Sequence, residues 1–251
     1  MTGALAAAYR SGAQRARVVT ESWGESNLYC PNCSSPKLTW LEPGHPASDY
    51  SCPRCEFKYQ LKSQKSRIGE SITDGAYAAM MNAIRHDETP NFYFMHYDLA
   101  TWSIKNLLLI PSFAFPPSAI IKRKPLAPTA RRAGWVGCNI ALNRVPAEAR
   151  ISVVTESKVS PESEVREKFR RVKPLKEISV TQRGWTLDVL NAIRRLGKTE
   201  FTTADAYVFA RELEKLHPDN RHVRDKIRQQ LQVLRDAGLL LHVERGIWRL
   251  P

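Results

Sequence analysis

Four cysteines come in two short pairs whose spacing suits a metal ion. The pairs are Cys30-x-x-Cys33 and Cys52-x-x-Cys55, with eighteen residues between them. Each pair can offer two thiolates to one ion, and two pairs complete the tetrahedral ligand set of zinc. Disulfides or redox pairs are the alternative, and they are disfavoured because the N-terminus lacks the apolar core of a secretory signal. The spacing predicts a structural zinc site, and it leaves Cys138 as a buried apolar residue.

A carboxylate, an amide and a lysine flank the second cysteine pair. Asp49 stands before the pair, and Gln60 and Lys62 follow it, with ten residues between Asp49 and Gln60. The alternation of apolar and polar residues from Phe57 to Lys62 predicts a strand that carries Gln60 and Lys62 on one face. With Asp49 on the preceding strand and the cysteines in the turn, Asp49 and Gln60 would meet across the two strands.

This triplet has a chemical use. Carboxylate and amide oxygens hold a hard cation such as Mg²⁺ against a phosphate, and a nearby lysine positions or deprotonates the attacking water. The spacing is typical of PD-(D/E)XK nucleases, although the same residue types are common at strand edges that bind no metal. It predicts Mg²⁺-dependent phosphodiester hydrolysis, with Asp49 and Gln60 as Mg²⁺ ligands and Asp49, Gln60 and Lys62 as catalytic residues.

The charge of the chain favours a polyanionic partner. Its 251 residues include 38 Lys and Arg against 25 Asp and Glu, a formal net charge of +13. The segment 99–147 has no acidic residue at all and carries Lys105, Lys122, Arg123, Lys124, Arg131, Arg132 and Arg144. Nucleic acid is the first interpretation and an anionic membrane the second, and a solvated basic surface without a partner is the alternative.

Periodicity indicates two domains, with a boundary near Ser179. The first should be a mixed α/β domain, with a helix over roughly 5–23 and strands at 91–97 and 102–111. We expect the proline-rich segment 111–128 to be an ordered or semi-ordered surface loop and the charged segment 159–179 to be a linker.

The last 70 residues predict a winged helix, three helices followed by a β-hairpin. Thr202 or Thr203 should cap the second helix, and Asp219 or Asn220 the third. The third helix can enter a major groove, because one face of it exposes side chains suited to base edges and phosphates: Arg224, Arg228, Gln229, Gln232 and Arg235. A module used only for protein contacts is the alternative.

Longer strings carry a more specific signal than any of these motifs. The chain contains "CPNC", "LKS" after the second cysteine pair, "DGAYA", "RKPLAPTARRAGWVGCNI", "RGWT" and "KIRQQLQVLRD". In these strings, and along nearly its whole length, it resembles the DpnI-like methyl-adenine-dependent type IIM restriction endonucleases.

The resemblance implies both a fold and an activity. The fold is an α/β PD-(D/E)XK nuclease domain with a mixed sheet and a four-cysteine zinc site over 1–179, joined to a small winged-helix DNA-binding domain over 180–251. The activity is cleavage of double-stranded DNA at GATC sites that carry N6-methyladenine. Asp49 becomes a metal ligand, Lys62 the catalytic lysine, and Cys30, Cys33, Cys52 and Cys55 the zinc ligands. The chain departs from the family at Gln60, where the pattern has Glu, and an amide ligates Mg²⁺ without contributing charge.

Three further residues need a role. Trp135 is the candidate for contacting the methyl group, while Arg131 or Arg132 holds phosphate or guanine, and a core position of Trp135 is the alternative. Arg123 and Lys124 are further candidates for binding DNA. Trp185 is predicted to be a core residue. Glu21 is either a further carboxylate near the metal or an exposed surface glutamate.

Two rival functions remain open. A methyl-DNA reader that no longer cuts follows from Gln60, and a zinc and winged-helix transcription regulator follows from the charge and the two motifs alone. In every case we expect a monomeric, cytoplasmic protein that binds DNA. We expect it to be soluble, because no apolar run approaches the eighteen residues of a membrane span.

Overall fold

The fold is described from a computed structural model, which covers residues 1, 3–42 and 48–251. The chain divides into two compact units. The sheet unit comprises Met1–Glu70, Glu88–Ser112 and Glu148–Arg170. The helical unit comprises Ser71–Asp87, Phe113–Ala147 and Arg171–Pro251.

Strands outnumber α-helices in the first two thirds of the chain, and helices dominate the last third. The α-helices in chain order are α1 (Gly12–Asn27), α2 (Tyr77–Arg85), α3 (Glu162–Val172), α4 (Val180–Arg194), α5 (Thr203–Tyr207), α6 (Ala210–Leu216) and α7 (Val223–Asp236). The strands are β1 (Thr39–Trp40), β2 (Tyr50–Ser51), β3 (Lys58–Gln64), β4 (Ser71–Ala76), β5 (Asn91–Tyr97), β6 (Ile104–Ile110), β7 (Ile120–Lys122), β8 (Gly137–Ala141), β9 (Ile151–Thr155), β10 (Lys158–Val159), β11 (Glu200–Thr202), β12 (Leu241–Glu244) and β13 (Ile247–Arg249).

A seven-stranded mixed sheet forms the sheet unit, in the order β1-β2-β3-β5-β6-β9-β10. The pair β3 and β5 is parallel, and the other neighbours are antiparallel. Strand β5 is nearly continuous apolar sequence and is almost wholly buried, as a central strand covered on both faces should be. Helix α1 lies against β3, where the hydroxyls of Thr20 and Ser63 are 3.1 Å apart.

The expectation of a linker at 159–179 is wrong for its central part. Residues Glu162–Val172 form α3, and Lys173–Glu177 continue as a 3-10 helix. Val165, Phe169 and Val172 are fully buried and recur at helical spacing on one face. The high charge of the other residues hides this narrow apolar stripe in the sequence.

The segment 111–128 is ordered, but part of it is buried and does not lie on the surface as expected. It contains two short 3-10 helices, Ser112–Ala114 and Pro117–Ala119, followed by β7. Phe113, Ala114 and Phe115 are buried, so their apolar side chains hold this part of the chain inward.

The helical unit contains helices α4 to α7 and a small three-stranded sheet in the order β4-β8-β7. Helices α4 to α7 are accompanied by a second sheet in the order β11-β13-β12, whose last two strands form the hairpin. Thr202 caps α5 in a reciprocal capping box with Asp205, as expected. The expected cap at Asp219 or Asn220 is wrong, because α7 begins at Val223 after His222.

The helix expected over roughly 5–23 is divided. Residues Gly3–Ala8 form a 3-10 helix, and α1 begins at Gly12 and runs on to Asn27. No helix in the described ranges is long and apolar enough to cross a membrane.

Candidate functional site

The four paired cysteines converge on one point. Their sulfur atoms all lie within 4.8 Å of one another, and the pairs Cys30–Cys55 and Cys33–Cys52 are each 3.5 Å apart. A zinc ion bound to four thiolates at about 2.3 Å needs sulfur atoms about 3.8 Å apart, so this cluster could hold zinc with small adjustments. Cys52 and Cys55 occupy the turn between β2 and β3, as the sequence predicted.

Two residues outside the cysteine motifs support this cluster. The Arg166 Nε on α3 donates to the Cys30 carbonyl at 3.2 Å and to the Cys33 carbonyl at 3.1 Å. The hydroxyl of Tyr59 on β3 lies 3.1 Å from the Cys30 sulfur. Such partners orient metal ligands and hold the loops that carry them.

The protonation of the thiols differs across the cluster. Burial raises the pKa of Cys30 and of Cys33. Burial acts in the same direction on Cys52, but the backbone N–H groups of Cys55 and Arg54 outweigh it and lower the pKa of Cys52 to about 7. Metal binding must therefore displace the protons of Cys30 and Cys33, and this makes metal affinity depend on pH.

Asp49 immediately precedes β2 and is hydrogen-bonded to β3. Strand β2 pairs with β3 through Tyr50 opposite Tyr59 and Ser51 opposite Lys58, and Asp49 and Gln60 are the next residues beyond this pairing. The Asp49 N–H donates to the Tyr59 carbonyl at 2.9 Å. The Leu61 N–H donates to Asp49 Oδ2 at 2.8 Å, which fixes the carboxylate against β3.

Lys62 follows Gln60 on the same face of β3, because alternate residues of a strand share a face. Its Nζ lies 5.8 Å from the centre of the Phe92 ring. Asp49, Gln60 and Lys62 are all partly buried. One corner of the sheet thus combines a carboxylate, an amide and a lysine beside the cysteine turn.

The Asp49 carboxylate sits in a mixed electrostatic environment. Burial raises the pKa of Asp49, and the nearby negative charge of Glu21 adds to this effect. The Leu61 N–H and the positive charges of Lys62 and Arg17 act in the opposite direction. A carboxylate that is costly to ionise in a buried place is stabilised by a cation, so the residues present fit a Mg²⁺ ion.

Glu21 on α1 is close to Asp49 and is held in place. Its Oε1 accepts a 2.7 Å hydrogen bond from Arg17 Nε, and its backbone carbonyl accepts one of 2.8 Å from Tyr50. The Glu21 side chain is only 19% exposed. Arg17 and Glu21 also line an open groove of about 630 Å³ with Leu61, whereas Gln60 and Lys62 lie outside its lining.

Trp135 lies in the helical unit and is half-buried. A side chain at Gly137 would come within 2.8 Å of the indole, so Gly137 leaves room for the ring to lie against β8. The Arg132 guanidinium lies 4.5 Å from the centre of the ring, over its face. The predicted phosphate or guanine contacts Arg123, Lys124, Arg131 and Arg132 are all exposed.

The predicted DNA-reading residues of α7 share its exposed surface. Ile227, Leu231 and Leu234 point into the core. The predicted residues Arg224, Arg228, Gln229, Gln232 and Arg235 are all exposed, as are the acidic residues Asp225 and Asp236. The Arg224 guanidinium lies over the Tyr207 ring, 5.5 Å from the ring centre. The predicted residues thus present arginine and glutamine side chains to solvent.

Sequence reasoning missed a polar network in the helical unit. The Asp188 carboxylate accepts from Ser118 Oγ at 2.5 Å and contacts His217 Nε2 at 2.8 Å. His217 stacks on Trp185 with ring centres 3.8 Å apart, and Trp185 is buried, in agreement with its core assignment. No local motif could reveal these contacts, because their members are far apart in the sequence.

Comparison with protein families gives two matches that together span most of the chain. The model of the Dam-replacing family, DpnI, matches residues 1–178. The model of the Dam-replacing HTH domain, DpnI_C, matches residues 181–250.

Proposed function

The chain belongs to the Dam-replacing family, and we propose that it is a type IIM restriction endonuclease that cuts double-stranded DNA at GATC sites carrying N6-methyladenine. The family implies a methyl-dependent restriction endonuclease with a DNA-binding helix-turn-helix domain. The specific target and the dependence on Mg²⁺ are parts of the proposal.

The observation that carries the proposed chemistry is the hydrogen bond from Leu61 N–H to Asp49 Oδ2, at 2.8 Å. It ties Asp49 to the strand that carries Gln60 and Lys62. The proposed hydrolysis of phosphodiesters requires these three residues to lie close together. Asp49 and Gln60 would hold Mg²⁺ through their side-chain oxygens. Bound Mg²⁺ supplies the positive charge that offsets negative charge developing on the phosphate.

The amino group of Lys62 would assist the attack of water on the phosphate. Its ammonium group can orient the attacking water and donate to a phosphate oxygen, and its neutral form can accept a proton from that water. Its Nζ lies over the Phe92 ring, 5.8 Å from the ring centre, which places the amino group beside β5. Glu21 and Arg17 flank this corner, so we assign Glu21 as a further carboxylate near the metal.

Recognition of DNA is proposed for two surfaces of the helical unit. The exposed face of α7 would read base edges in the major groove through its arginines and glutamines. Trp135 would contact the added methyl group, since an indole face offers apolar surface, while the exposed arginines around it bind phosphate or guanine.

The organisation of the protein follows the same proposal. We propose a nuclease domain over 1–179 with a structural zinc ion on Cys30, Cys33, Cys52 and Cys55, and a DNA-binding domain over 180–251. The two family matches, 1–178 and 181–250, support a boundary at that point. We further propose that the protein acts in the cytoplasm as a monomer.

A second function has one specific observation in its favour. Gln60 brings no charge to the metal, so the chain could bind methylated DNA without cutting it. A regulator that uses only the zinc and helix-turn-helix elements is a third possibility, and it predicts no preference for methylated DNA.

The test is digestion of one plasmid prepared with and without adenine methylation at GATC, in the presence of Mg²⁺. The proposal predicts fragments from the methylated plasmid alone. If neither plasmid is cut but the methylated one is bound more tightly, the protein is a reader. If the protein neither cuts nor prefers the methylated plasmid, the family activity has been lost and the regulator is favoured.

A further inference from the structure

We infer that Tyr59 is a positioning residue that couples the four-cysteine site to Asp49. The Tyr59 hydroxyl lies 3.1 Å from the Cys30 sulfur, and its backbone carbonyl accepts a 2.9 Å hydrogen bond from the Asp49 N–H. One residue therefore contacts a ligand of the zinc cluster and a proposed ligand of Mg²⁺. The consequence for cleavage rests on the proposed function, whereas the link between Tyr59 and the zinc cluster stands without it.

The contact with sulfur becomes stronger when zinc is bound. A zinc-bound cysteine is a thiolate and can only accept, so the Tyr59 hydroxyl is the donor to Cys30. Hydrogen bonds to a charged acceptor are stronger than neutral ones. The Tyr59 side chain has no exposed surface, so water does not compete for this contact.

Among the described residues, two hydrogen bonds hold the Asp49 backbone in position. The neighbouring strand β2 contains only Tyr50 and Ser51. The Asp49 backbone is therefore fixed by the Tyr59 carbonyl and by the Leu41 N–H, which donates to the Asp49 carbonyl at 2.9 Å. A shift of Tyr59 after zinc loss would move its carbonyl and carry Asp49 with it.

The chain offers a matched control in Tyr93. This tyrosine is also fully buried, lies on the adjacent strand β5, and packs against the Tyr59 ring at 5.8 Å. Its hydroxyl donates to the Tyr29 carbonyl at 3.1 Å instead of contacting a cysteine sulfur. Tyr59→Phe and Tyr93→Phe thus each delete one buried hydroxyl, and only the first deletes a contact with a zinc ligand.

Zinc retention is measured by transfer of the metal to a colorimetric chelator. Loss of an outer-shell partner typically lowers metal affinity about 10- to 100-fold, so we expect that loss for Tyr59→Phe. Tyr93→Phe should retain zinc as the unmodified protein does. An unchanged affinity in Tyr59→Phe, or an equal loss in both variants, would overturn the inference.

The absorption spectrum of the cobalt-substituted protein distinguishes loss of the Tyr59 hydrogen bond from general loosening of the core. A hydrogen bond stabilises the sulfur electrons that are excited in the sulfur-to-cobalt charge-transfer band. The band should move to longer wavelength in Tyr59→Phe and stay in place in Tyr93→Phe. Identical bands in the three proteins would contradict a Tyr59 hydrogen bond to the metal-bound sulfur.

The coupling to Asp49 is tested on the unmodified protein, so it does not depend on either variant folding. Amide hydrogen exchange is compared before and after zinc is removed by chelation. The amides of Asp49 and Leu61 should lose protection, because both take part in the hydrogen bonds that join Asp49 to β3. Unchanged protection at both amides would refute the coupling.

A cleavage assay separates this inference from the proposed function. Tyr59→Phe, loaded with zinc, should need more Mg²⁺ for half-maximal cleavage, and Tyr93→Phe should not. If the unmodified protein cuts no DNA, the proposed function fails, and the zinc and exchange measurements still decide the role of Tyr59.

Discussion

The backbone N–H of Leu61 donates a 2.8 Å hydrogen bond to Asp49 Oδ2, across a turn that contains two zinc-cluster cysteines. This bond occupies one carboxylate oxygen and turns the Asp49 side chain toward the strand that carries Gln60 and Lys62. The cysteine turn therefore does not interrupt the proposed catalytic site. It brings the two strands of that site into register.

Restoring a charged ligand should strengthen Mg²⁺ binding. Gln60→Glu adds a carboxylate opposite Asp49, and we expect half-maximal cleavage at about tenfold less Mg²⁺, equivalent to about 1.4 kcal/mol. Gln14→Glu adds the same charge at an exposed position of α1 and serves as the control. An unchanged Mg²⁺ requirement in Gln60→Glu would place the metal elsewhere.

Removal of the proposed catalytic lysine should stop cleavage without weakening DNA binding. Lys62→Ala is expected to lower the cleavage rate at least about 100-fold, the usual scale for loss of a proton-transfer group. Lys58→Ala removes an exposed lysine from the same strand and should leave the rate intact. Normal cleavage by Lys62→Ala would rule out this assignment.

Arg166 should be important for the stability of the cysteine site. Arg166→Ala deletes the hydrogen bonds to the Cys30 and Cys33 carbonyls, and we expect the free energy of unfolding to fall by about 2 kcal/mol. Arg170→Ala on the same helix removes an exposed pair with Glu167 and should cost less than about 1 kcal/mol. Denaturant titration of the zinc-loaded proteins measures both, and equal losses would contradict this role for Arg166.

The cap of α5 predicts a pH dependence of stability. The Thr202 N–H, with Lys198 and the Thr202 hydroxyl, lowers the pKa of Asp205 to about 2. Because this pKa lies below that of an unfolded aspartate, Asp205 stabilises the fold above about pH 4, and the contribution disappears as the pH falls toward 2.

Asp205→Asn should therefore be less stable than the unmodified protein at neutral pH, and the difference should shrink on acidification. Denaturant unfolding across that pH range measures the difference. Thr202→Ala removes the other half of the capping box and should cost about 1 kcal/mol at neutral pH. A difference between Asp205→Asn and the unmodified protein that does not vary with pH would show that the Asp205 charge is unimportant.

Local patterns predicted the parts of the structure that depend on neighbouring residues. The cysteine spacing predicted the cluster, because each pair lies in one short turn. The apolar run at 91–97 predicted β5 with its observed bounds. The alternation around Gln60 predicted β3, since side chains of a strand alternate between its faces.

Other features depend on contacts that the sequence does not reveal. Arg166 reaches the Cys30 carbonyl across 136 residues, and no motif links the two. Helix α3 was mistaken for a linker, because its charged residues outnumber the apolar ones that tertiary packing buries. Alternation places Tyr59 on the face of β3 opposite to Gln60 and Lys62, but it does not show that the Tyr59 hydroxyl contacts a cysteine sulfur.

The most direct test uses one short DNA duplex with a single GATC site, made with adenine or with N6-methyladenine. Binding is measured in Ca²⁺ and cleavage in Mg²⁺, for the unmodified protein and for Lys62→Ala. We predict that both proteins bind the methylated duplex more tightly and that only the unmodified protein cuts it. Binding without cleavage by the unmodified protein would contradict a methyl-directed nuclease. Equal binding and equal cleavage of the two duplexes would contradict it as well.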